Sequence, residues 1–314
     1  MDYCKLGNTG IEVSKIAFGG VSIGIPYGIG IESEDDMLTD QQAIELLRCA
    51  LSNGINFFDT ARAYGKSEKL MGLAFGDRRE DVVICTKPDH FITKEGMACD
   101  VDRSIKDSVQ KSLRELQCDY IDILMSHDGS LDVVNNPDVI AVFDELKNSG
   151  VIRAKGISVY KPEETRSAIE SGVWDVIQLP YNLMDQSHGD LFELAKDKGV
   201  AIVVRSALFK GILTDRGRNL HPELKAVSDY RERYCGLLED GETLSDFATR
   251  FVMSQQGVTS VLVGIDKTEY LNKALDVSRQ GVIDETRVEK ALSLAYPEPE
   301  FLDLPKWDRM GWLN

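Results

Sequence analysis

Residues 192–206 read Phe-Glu-Leu-Ala-Lys-Asp-Lys-Gly-Val-Ala-Ile-Val-Val-Arg-Ser, which is a helical run, a glycine, a short apolar run and two polar residues. A glycine just past a helix can take the left-handed conformation that closes the last turn. A β-branched residue after it favours a strand. The sequence therefore predicts a helix–strand unit, and the same order recurs at six places. They are Asn53-Gly54-Ile55, Ser149-Gly150-Val151, Ser171-Gly172-Val173, Lys198-Gly199-Val200, Gln256-Gly257-Val258 and Gln280-Gly281-Val282.

Eight short apolar runs are candidate strands, and most of them lack polar alternation, as strands covered on both faces do. They are Ile16–Phe18, Ile55–Phe58, Val82–Cys85, Tyr120–Met125, Ile152–Gly156, Val176–Leu179, Ala201–Val204 and Ser260–Val263. Strands that alternate with helices predict a parallel sheet, and eight of them close a (β/α)8 barrel. A doubly wound open sheet shares this pattern. However, no Gly-x-Gly-x-x-Gly follows the first strand, which argues against a Rossmann fold.

The remaining segments complete a single α/β domain over residues 1–314. Thr39 to Gln42 fits a capping box, and Asn136-Pro137 fits the start of another helix. Loops are predicted at 25–39 and 206–241, the second with a helix from Pro222 to Tyr234. We therefore predict one (β/α)8 TIM barrel with long loops, an extra C-terminal helix and an irregular tail at 295–314 that folds over the barrel mouth.

The composition excludes several classes of protein. Lysine and arginine number 36 against 52 aspartates and glutamates, a net charge of −16, which disfavours a nucleic-acid binder because phosphate contacts need cations. No apolar run approaches the roughly 18 residues of a membrane span, and no apolar signal segment is visible. The six cysteines are too scattered for paired zinc ligands or a disulfide framework, so we expect a cytoplasmic protein. They are Cys4, Cys49, Cys85, Cys99, Cys118 and Cys235.

Polar residues close six successive candidate strands. They are Asp59, Lys87, His127, Ser158, Gln178 and Arg205-Ser206. Each alone is also typical of a cap or a turn. In a barrel of this kind the chemistry lies where strands end and loops begin, so together these side chains would converge on one face. The pattern predicts a functional site there.

The residue types at these strand ends favour carbonyl chemistry. Lys87 and Asp59 would pair, because either charge alone is costly to bury. Tyr64 lies five residues past Asp59, and a cation beside a phenol lowers its pKa. Reduction of a carbonyl needs an acid and a hydrogen-bond donor, because the oxygen gains charge as hydride arrives and a proton must follow. Tyr64 and His127 would supply them.

Motifs spread over nearly the whole chain fit this chemistry. They are Lys5-Leu6-Gly7, Phe57-Phe58-Asp59-Thr60-Ala61-x-x-Tyr64-Gly65, Ser67-Glu68, Thr86-Lys87, Ser108 to Leu116, Tyr120-Ile121-Asp122 and Ser126-His127. In these motifs the sequence resembles the aldo-keto reductase family, whose (β/α)8 barrel binds a nicotinamide cofactor without a Rossmann domain. The resemblance implies Tyr64 as general acid/base and Lys87 as the modulator of its pKa. It also implies Asp59 as the partner of Lys87 and His127 as the residue that orients the carbonyl.

The resemblance also implies a set of cofactor contacts. Ser158 and Gln178 would hold the nicotinamide carboxamide. The further predicted contacts near the ring and the pyrophosphate are Arg205, Ser206, Leu208 and Gly211. The chain departs from the family in two of these places. Val159 stands where Asn is common, and Arg205 stands where a Tyr often stacks on the nicotinamide; an Arg plane can stack too.

The segment after the last strand bears on the choice between NAD and NADP. Members that prefer NADP usually carry cations there, whereas this chain has Gly264, Asp266 and Tyr270. Asp266 would repel a 2′-phosphate but could accept from a ribose hydroxyl. Only Lys267 argues for NADP, so we expect NAD or NADP with NAD favoured.

The leading hypothesis is thus a nicotinamide-dependent oxidoreductase that acts on a small polar substrate, such as a sugar or sugar derivative. Two alternatives stay open. The first is a Schiff-base lyase that uses Lys87, and the second is a non-catalytic cofactor-binding redox sensor. His90, His188 and His221 are expected to be surface or loop residues, with His90 close enough to Lys87 to line the pocket. No metal site is predicted, and the sequence gives no prediction of the oligomeric state.

Overall fold

Eight parallel strands close into a barrel in the computed structural model, which describes residues 1–31, 33–93, 96–97 and 100–313. The strands are β1 Tyr3–Lys5, β2 Glu12–Ser14, β3 Ile16–Gly19, β4 Phe57–Asp59, β5 Val83–Thr86, β6 Ile92–Thr93, β7 Gly96–Met97, β8 Ile121–Ser126, β9 Ile152–Ser158, β10 Val176–Pro180, β11 Ala201–Arg205 and β12 Val258–Gly264. The barrel consists of β3, β4, β5 and β8 to β12, in chain order around the ring, and β12 pairs with β3 to close it. The predicted barrel is confirmed, and each candidate strand belongs to it.

Helices surround the barrel. They are α1 Val21–Gly24, α2 Asp40–Ser52, α3 Ser67–Phe75, α4 Val101–Leu116, α5 Leu131–Val134, α6 Pro137–Asn148, α7 Pro162–Ser171, α8 Phe192–Asp197, α9 Lys225–Cys235, α10 Leu244–Met253, α11 Thr268–Gln280, α12 Glu285–Leu292 and α13 Leu304–Arg309. Short 3-10 turns lie at Glu34–Asp36, Arg79–Asp81, Gly189–Leu191, Phe209–Gly211, Asp215–Arg218, Pro222–Leu224 and Pro299–Phe301. The predicted Thr39 capping box and Asn136 cap are both present.

The six glycines that follow the predicted helices share one feature of backbone conformation. Gly54, Gly150, Gly172, Gly199, Gly257 and Gly281 all have positive φ. The expected strand follows five of them but not Gly281. There, Asp284 caps α12 by accepting a hydrogen bond from the backbone N–H of Arg287, so only two apolar residues separate the glycine from the next helix. That length is too short for another strand of the ring.

Alternation along each strand divides the core into two parts. Ile16 and Phe18 face the helices, whereas Ala17 between them faces the barrel interior. Phe58 and Phe57 divide in the same way. This explains the continuous apolar runs, because both faces of every barrel strand are covered.

A hairpin closes the end of the barrel at which the parallel strands begin. It was not predicted from the sequence. Strands β1 and β2 pair antiparallel, and Leu6, Ile11 and Val13 pack into the interior cluster beneath the barrel strands. Each strand has only three residues, which is too short for a periodic signal. Strands β6 and β7 form a second short hairpin in the loop after β5.

The C-terminal tail packs on the long loop after β11. It holds α13, so it is less irregular than expected. Trp307 of α13 is fully buried and packs edge-on against Phe209, and Lys210 pairs with Asp308. The predicted helix in that loop is present as a 3-10 turn at Pro222–Leu224 followed by α9.

His188 and the cysteines can be compared with the expectations from the sequence. His188 was expected to be a surface or loop residue, and it lies in the loop after β10. It is buried there, and its ring bonds to the Thr165 hydroxyl and the Tyr160 carbonyl, two polar partners from other segments. The five described cysteines are free thiols, and Cys99 lies outside the described residues. Within the described chain, no helix has the length and apolarity that a membrane crossing requires.

Candidate active site

One ring of inward-facing positions carries the predicted strand-end residues. Phe57, Cys85, Met125 and Val203 belong to the interior cluster, and a predicted residue comes two positions after each of them, at the end of the strand or directly past it. Because side chains alternate along a strand, they also point inward, one layer above the apolar interior. These residues are Asp59, Lys87, His127, Ser158, Gln178 and Arg205. The barrel therefore brings together side chains that are far apart in the sequence.

The centre of this ring is a buried ion pair. Lys87 Nζ lies 2.6 Å from Asp59 Oδ1, and both side chains are almost inaccessible to solvent. Lys87 also donates to the Thr60 carbonyl at 3.2 Å, and Gln178 Nε2 donates to the same Asp59 oxygen at 2.8 Å. Burial by itself would lower the pKa of the Lys87 ammonium, but the charge and hydrogen bond of Asp59, together with Tyr64 and Cys85, outweigh it and raise that pKa above the usual value. Lys87 is thus held as a cation.

Tyr64 lies over this cation, in the loop between β4 and α3. The Lys87 ammonium is 5.3 Å from the centre of the Tyr64 ring. Burial raises the pKa of the Tyr64 phenol above its ordinary value, and Lys87 lowers it only in part. The effect of Lys87 thus has the expected direction, but it is smaller than that of burial. Desolvation outweighs the cation, and Tyr64 is protonated and able to act as an acid.

His127 faces Tyr64 from the next strand end, with ring centres 5.8 Å apart in an edge-on arrangement. His90 stacks on its other side at 4.7 Å. Burial, followed by the positive charge of Lys87, lowers the pKa of His127 to about 3. The ring is therefore neutral, and its buried Nδ1 has no partner among the described residues. A neutral imidazole of this kind can donate or accept one hydrogen bond to a small molecule.

Glu68 is buried, and its contacts were not predicted from the sequence. It accepts from the Thr86 hydroxyl at 2.6 Å and pairs with Arg62 at 2.5 Å. Arg62 in turn donates its backbone N–H to the Lys87 carbonyl. Glu68 thus ties the end of β5 to the loop that carries Tyr64. Its place in the Ser67-Glu68 motif was the available signal, but the contacts depend on side-chain directions.

The predicted nicotinamide contacts lie on neighbouring strands. Ser158 and Gln178 are register partners of β9 and β10, and both are buried. The guanidinium carbon of Arg205 lies over the Tyr160 ring, 4.1 Å from its centre, and Arg205 donates to the Val159 carbonyl at 3.0 Å. Its guanidinium thus already stacks on a ring of the protein, at the mouth of the barrel.

The loop after β11 has an unusual backbone. Ser206, Phe209 and Lys210 have positive φ although they are not glycines, and Gly211 follows with φ 105°. A right-handed residue next to a left-handed one can turn backbone N–H groups toward a common point and form a concave anion site. In this turn the N–H groups of Phe209 and Gly211 already donate to the Ser206 and Leu208 carbonyls. Leu208, the remaining residue of this predicted set, is half-buried within the same turn.

The three predicted residues after β12 lie together but have different surroundings. Gly264 is exposed at the strand end, and one carboxylate oxygen of Asp266 is buried with no partner among the described residues. The Tyr270 hydroxyl accepts from Arg216 at 3.2 Å, and Arg216 also donates to the Ile29 carbonyl. Sequence reasoning missed Arg216, because it reaches Tyr270 from 54 positions earlier in the chain.

Comparison with known proteins agrees with this geometry. The model of the Aldo/keto reductase family matches residues 15–294. The chain belongs to the aldo-keto reductase family. An aldo-keto reductase from Bacillus halodurans, AKR11C1 in its holo form, superposes with a TM-score of 0.78 at 26% identity, covering 94% of this chain and 96% of that one. The chain is accordingly an oxidoreductase of this family.

Three relatives show how far the sequence similarity extends. L-galactose dehydrogenase of Arabidopsis thaliana is 33% identical over 285 residues, which are 85% of each chain. NADH-specific methylglyoxal reductase of Escherichia coli is 34% identical over 68% of this chain and 69% of its own. D-arabinose 1-dehydrogenase of Saccharomyces cerevisiae is 30% identical over 84% of this chain and 83% of its own.

Proposed function

We propose that this aldo-keto reductase interconverts a carbonyl and an alcohol with a nicotinamide cofactor, and that Tyr64 is its general acid/base. The observation that carries the proposal is the buried Lys87–Asp59 pair, which holds a permanent cation 5.3 Å from the Tyr64 ring. When bound, the nicotinamide would supply or accept the hydride. Every proton in the reaction then has to be handled by the protein.

Tyr64 transfers the proton, and His127 supplies a hydrogen bond to the carbonyl oxygen. In the reductive direction Tyr64 donates its proton to the carbonyl oxygen, and Lys87 stabilises the phenolate that is left. His127 is neutral, so it can donate a hydrogen bond to the same oxygen without competing for the proton. In the oxidative direction the phenolate takes the proton back from the alcohol.

The residues present fit a nicotinamide cofactor at both ends. Ser158 and Gln178 offer hydroxyl and amide groups for the carboxamide, and the turn at residues 206–211 suits the pyrophosphate. At the far end, the unpartnered oxygen of Asp266 would accept from a ribose hydroxyl and repel a 2′-phosphate. Arg216 brings a compensating cation nearby, so we propose that NAD is preferred and NADP tolerated. The similarity to the NADH-specific methylglyoxal reductase of Escherichia coli supports this choice.

We further propose a polar substrate such as a sugar or a sugar derivative. The L-galactose and D-arabinose dehydrogenases among the relatives support this substrate class. The site itself offers several polar groups to a hydroxylated molecule at the barrel mouth. These are the exposed His90 and the side chains of Tyr27, Tyr160 and Arg205.

The proposal is tested by titrating the protein with NADH and with NADPH and following intrinsic tryptophan fluorescence. We expect saturable binding of both, tighter for NADH, and turnover of aldoses with NAD. Tyr64→Phe should keep cofactor binding but reduce kcat by at least about a hundredfold, within the range for loss of general acid–base catalysis. Full activity of Tyr64→Phe would overturn the assignment of the acid/base.

The two alternatives fit the structure less well. A Schiff-base nucleophile must be an uncharged amine, whereas the pKa of Lys87 is raised by Asp59 and its ammonium is buried. Borohydride should therefore trap no substrate adduct at Lys87. A non-catalytic redox sensor would bind cofactor but show no turnover that Tyr64→Phe could remove.

A further inference from the structure

Gln178 makes a hydrogen bond across the whole width of the barrel. Its Nε2 donates to Oδ1 of Asp59 at 2.8 Å, the same oxygen that accepts from Lys87 at 2.6 Å. Gln178 belongs to β10 and Asp59 to β4, which lie four strands apart in the ring of eight. Both side chains are buried. The bond therefore links the ion pair to the opposite wall of the site.

The partner of this bond fixes the orientation of the Gln178 amide. A carboxylate can only accept hydrogen bonds, so the amide must turn its NH2 group toward Asp59 and its Oε1 away from it. Within the part of the chain that the structure describes, the hydrogen bond of the Gln178 side chain uses Nε2 and leaves Oε1 to accept from another donor. This oxygen is an acceptor presented beside Ser158, where an N–H donor of a ligand would fit.

We propose that Gln178 is a positioning residue that holds Asp59 against Lys87 and makes this hold depend on what occupies the site beside Ser158. The identity of that occupant, a nicotinamide carboxamide, rests on the proposed function. The bond across the barrel does not. Gln178 would then do two things at once, because one end of its amide meets the cofactor and the other end meets the ion pair that stabilises the Tyr64 phenolate.

Hydrogen-bond physics explains how the two ends are connected. A donor that binds Oε1 polarises the amide and strengthens the bond from Nε2 to Asp59, since linked hydrogen bonds in a buried site reinforce each other. The coupling is reciprocal for binding, so the charge of Asp59 must in turn tighten cofactor binding through Gln178. Loss of either partner should remove the same coupling.

A double-mutant cycle on cofactor binding tests this coupling. The Kd for NADH is measured by fluorescence for the wild type, Asp59→Asn, Gln178→Met and the double variant. We expect the double variant to lose at least about twofold less affinity than the product of the single losses, as for residues in one network. Losses that simply multiply would overturn the inference. Ser158→Ala, combined with Asp59→Asn, is the matched control and should give losses that multiply.

A second measurement needs no cofactor. The side-chain carboxyl carbon of Asp59 is followed by NMR in the ligand-free protein, with its resonance assigned from Asp59→Asn. Gln178→Met should move this resonance and Ser158→Ala should leave it in place. A resonance unmoved by Gln178→Met would overturn the inference, and the equally uncharged Gln178→Leu replaces Gln178→Met if circular dichroism shows that it does not fold. If the wild type binds neither NADH nor NADPH, the proposed function fails and this measurement alone decides on Gln178.

Discussion

His127 shows at the scale of one residue how burial sets chemistry. Its pKa is lowered to about 3 by burial first and by Lys87 next, whereas the ordinary value is 6.5. Between these two pH values the unfolded chain binds a proton that the folded protein does not. By linkage, this residue therefore makes the protein lose stability as the pH falls through that window.

We accordingly expect His127→Gln to have a flatter dependence of stability on pH. The urea midpoint of the wild type should fall more than that of the variant when the pH is lowered from about 7 to about 4.5. Carboxylates contribute to acid unfolding in both proteins, so the difference between the two curves isolates His127. Parallel curves would mean that the pKa of His127 is the same in the folded and the unfolded protein.

The residue scale also shows what the sequence can predict of a site. Asp59, Lys87 and Gln178 could be predicted, because each is a polar residue within or directly after a short apolar run. The net pKa of Tyr64 could not, because it depends on how burial and Lys87 compare. The contact between Arg216 and Tyr270 could not be predicted either, because Arg216 lies in a loop without a periodic pattern.

At the scale of elements, Glu68 joins α3 to the end of β5. Glu68→Ala removes the partner of Arg62 and of the Thr86 hydroxyl in a buried setting. Breaking one side of a buried ion pair costs about 3–5 kcal/mol of unfolding free energy. We expect a loss near the lower end of that range in urea unfolding, because the Arg62 side chain retains 19% exposure. Glu68→Gln keeps the shape and an acceptor, and it should lose clearly less.

The N-terminal hairpin offers a matched pair of glycines. Gly7 and Gly10 both have positive φ, which costs an alanine about 1–2 kcal/mol. A Cβ at Gly7 would lie 2.3 Å from the backbone carbonyl oxygen of Gly199, whereas a Cβ at Gly10 would meet nothing within 4 Å. Gly7→Ala should therefore lower the urea midpoint much more than Gly10→Ala does. Equal losses would show that the hairpin does not dock on the barrel at this point.

Element prediction failed where elements are short or locally satisfied. The eight barrel strands were predictable because each is an apolar run bounded by a glycine or a polar residue. Strands β1 and β2 have three residues each, and their assignment depends on pairing with one another. The apolar pair Val282 and Ile283 looks like the start of a strand, but the cap of α12 follows at once.

For the whole molecule, the tail stabilises the mouth of the barrel. Trp307 is fully buried and contacts Phe209 in the loop after β11. Trp307→Ala should cost about 3–5 kcal/mol, the usual range for a large aromatic residue in a core. Backbone amides of residues 206–211 should lose protection in hydrogen exchange more than those of β5 do. Uniform loss over the chain would show instead that the tail stabilises the fold as a whole.

The seam between β3 and β12 has a consequence for the synthesis of this protein. Val261 pairs with Ile16, 245 residues earlier, and the Ser260 hydroxyl donates to the Ser14 carbonyl. A ribosome adds about 5–20 residues per second, so the first barrel strand waits roughly 10–50 seconds for the neighbour that covers its edge. During that time the nascent chain carries an unpaired apolar strand of the kind that aggregates. The growing polypeptide is therefore most in need of a chaperone shortly before its last strand emerges.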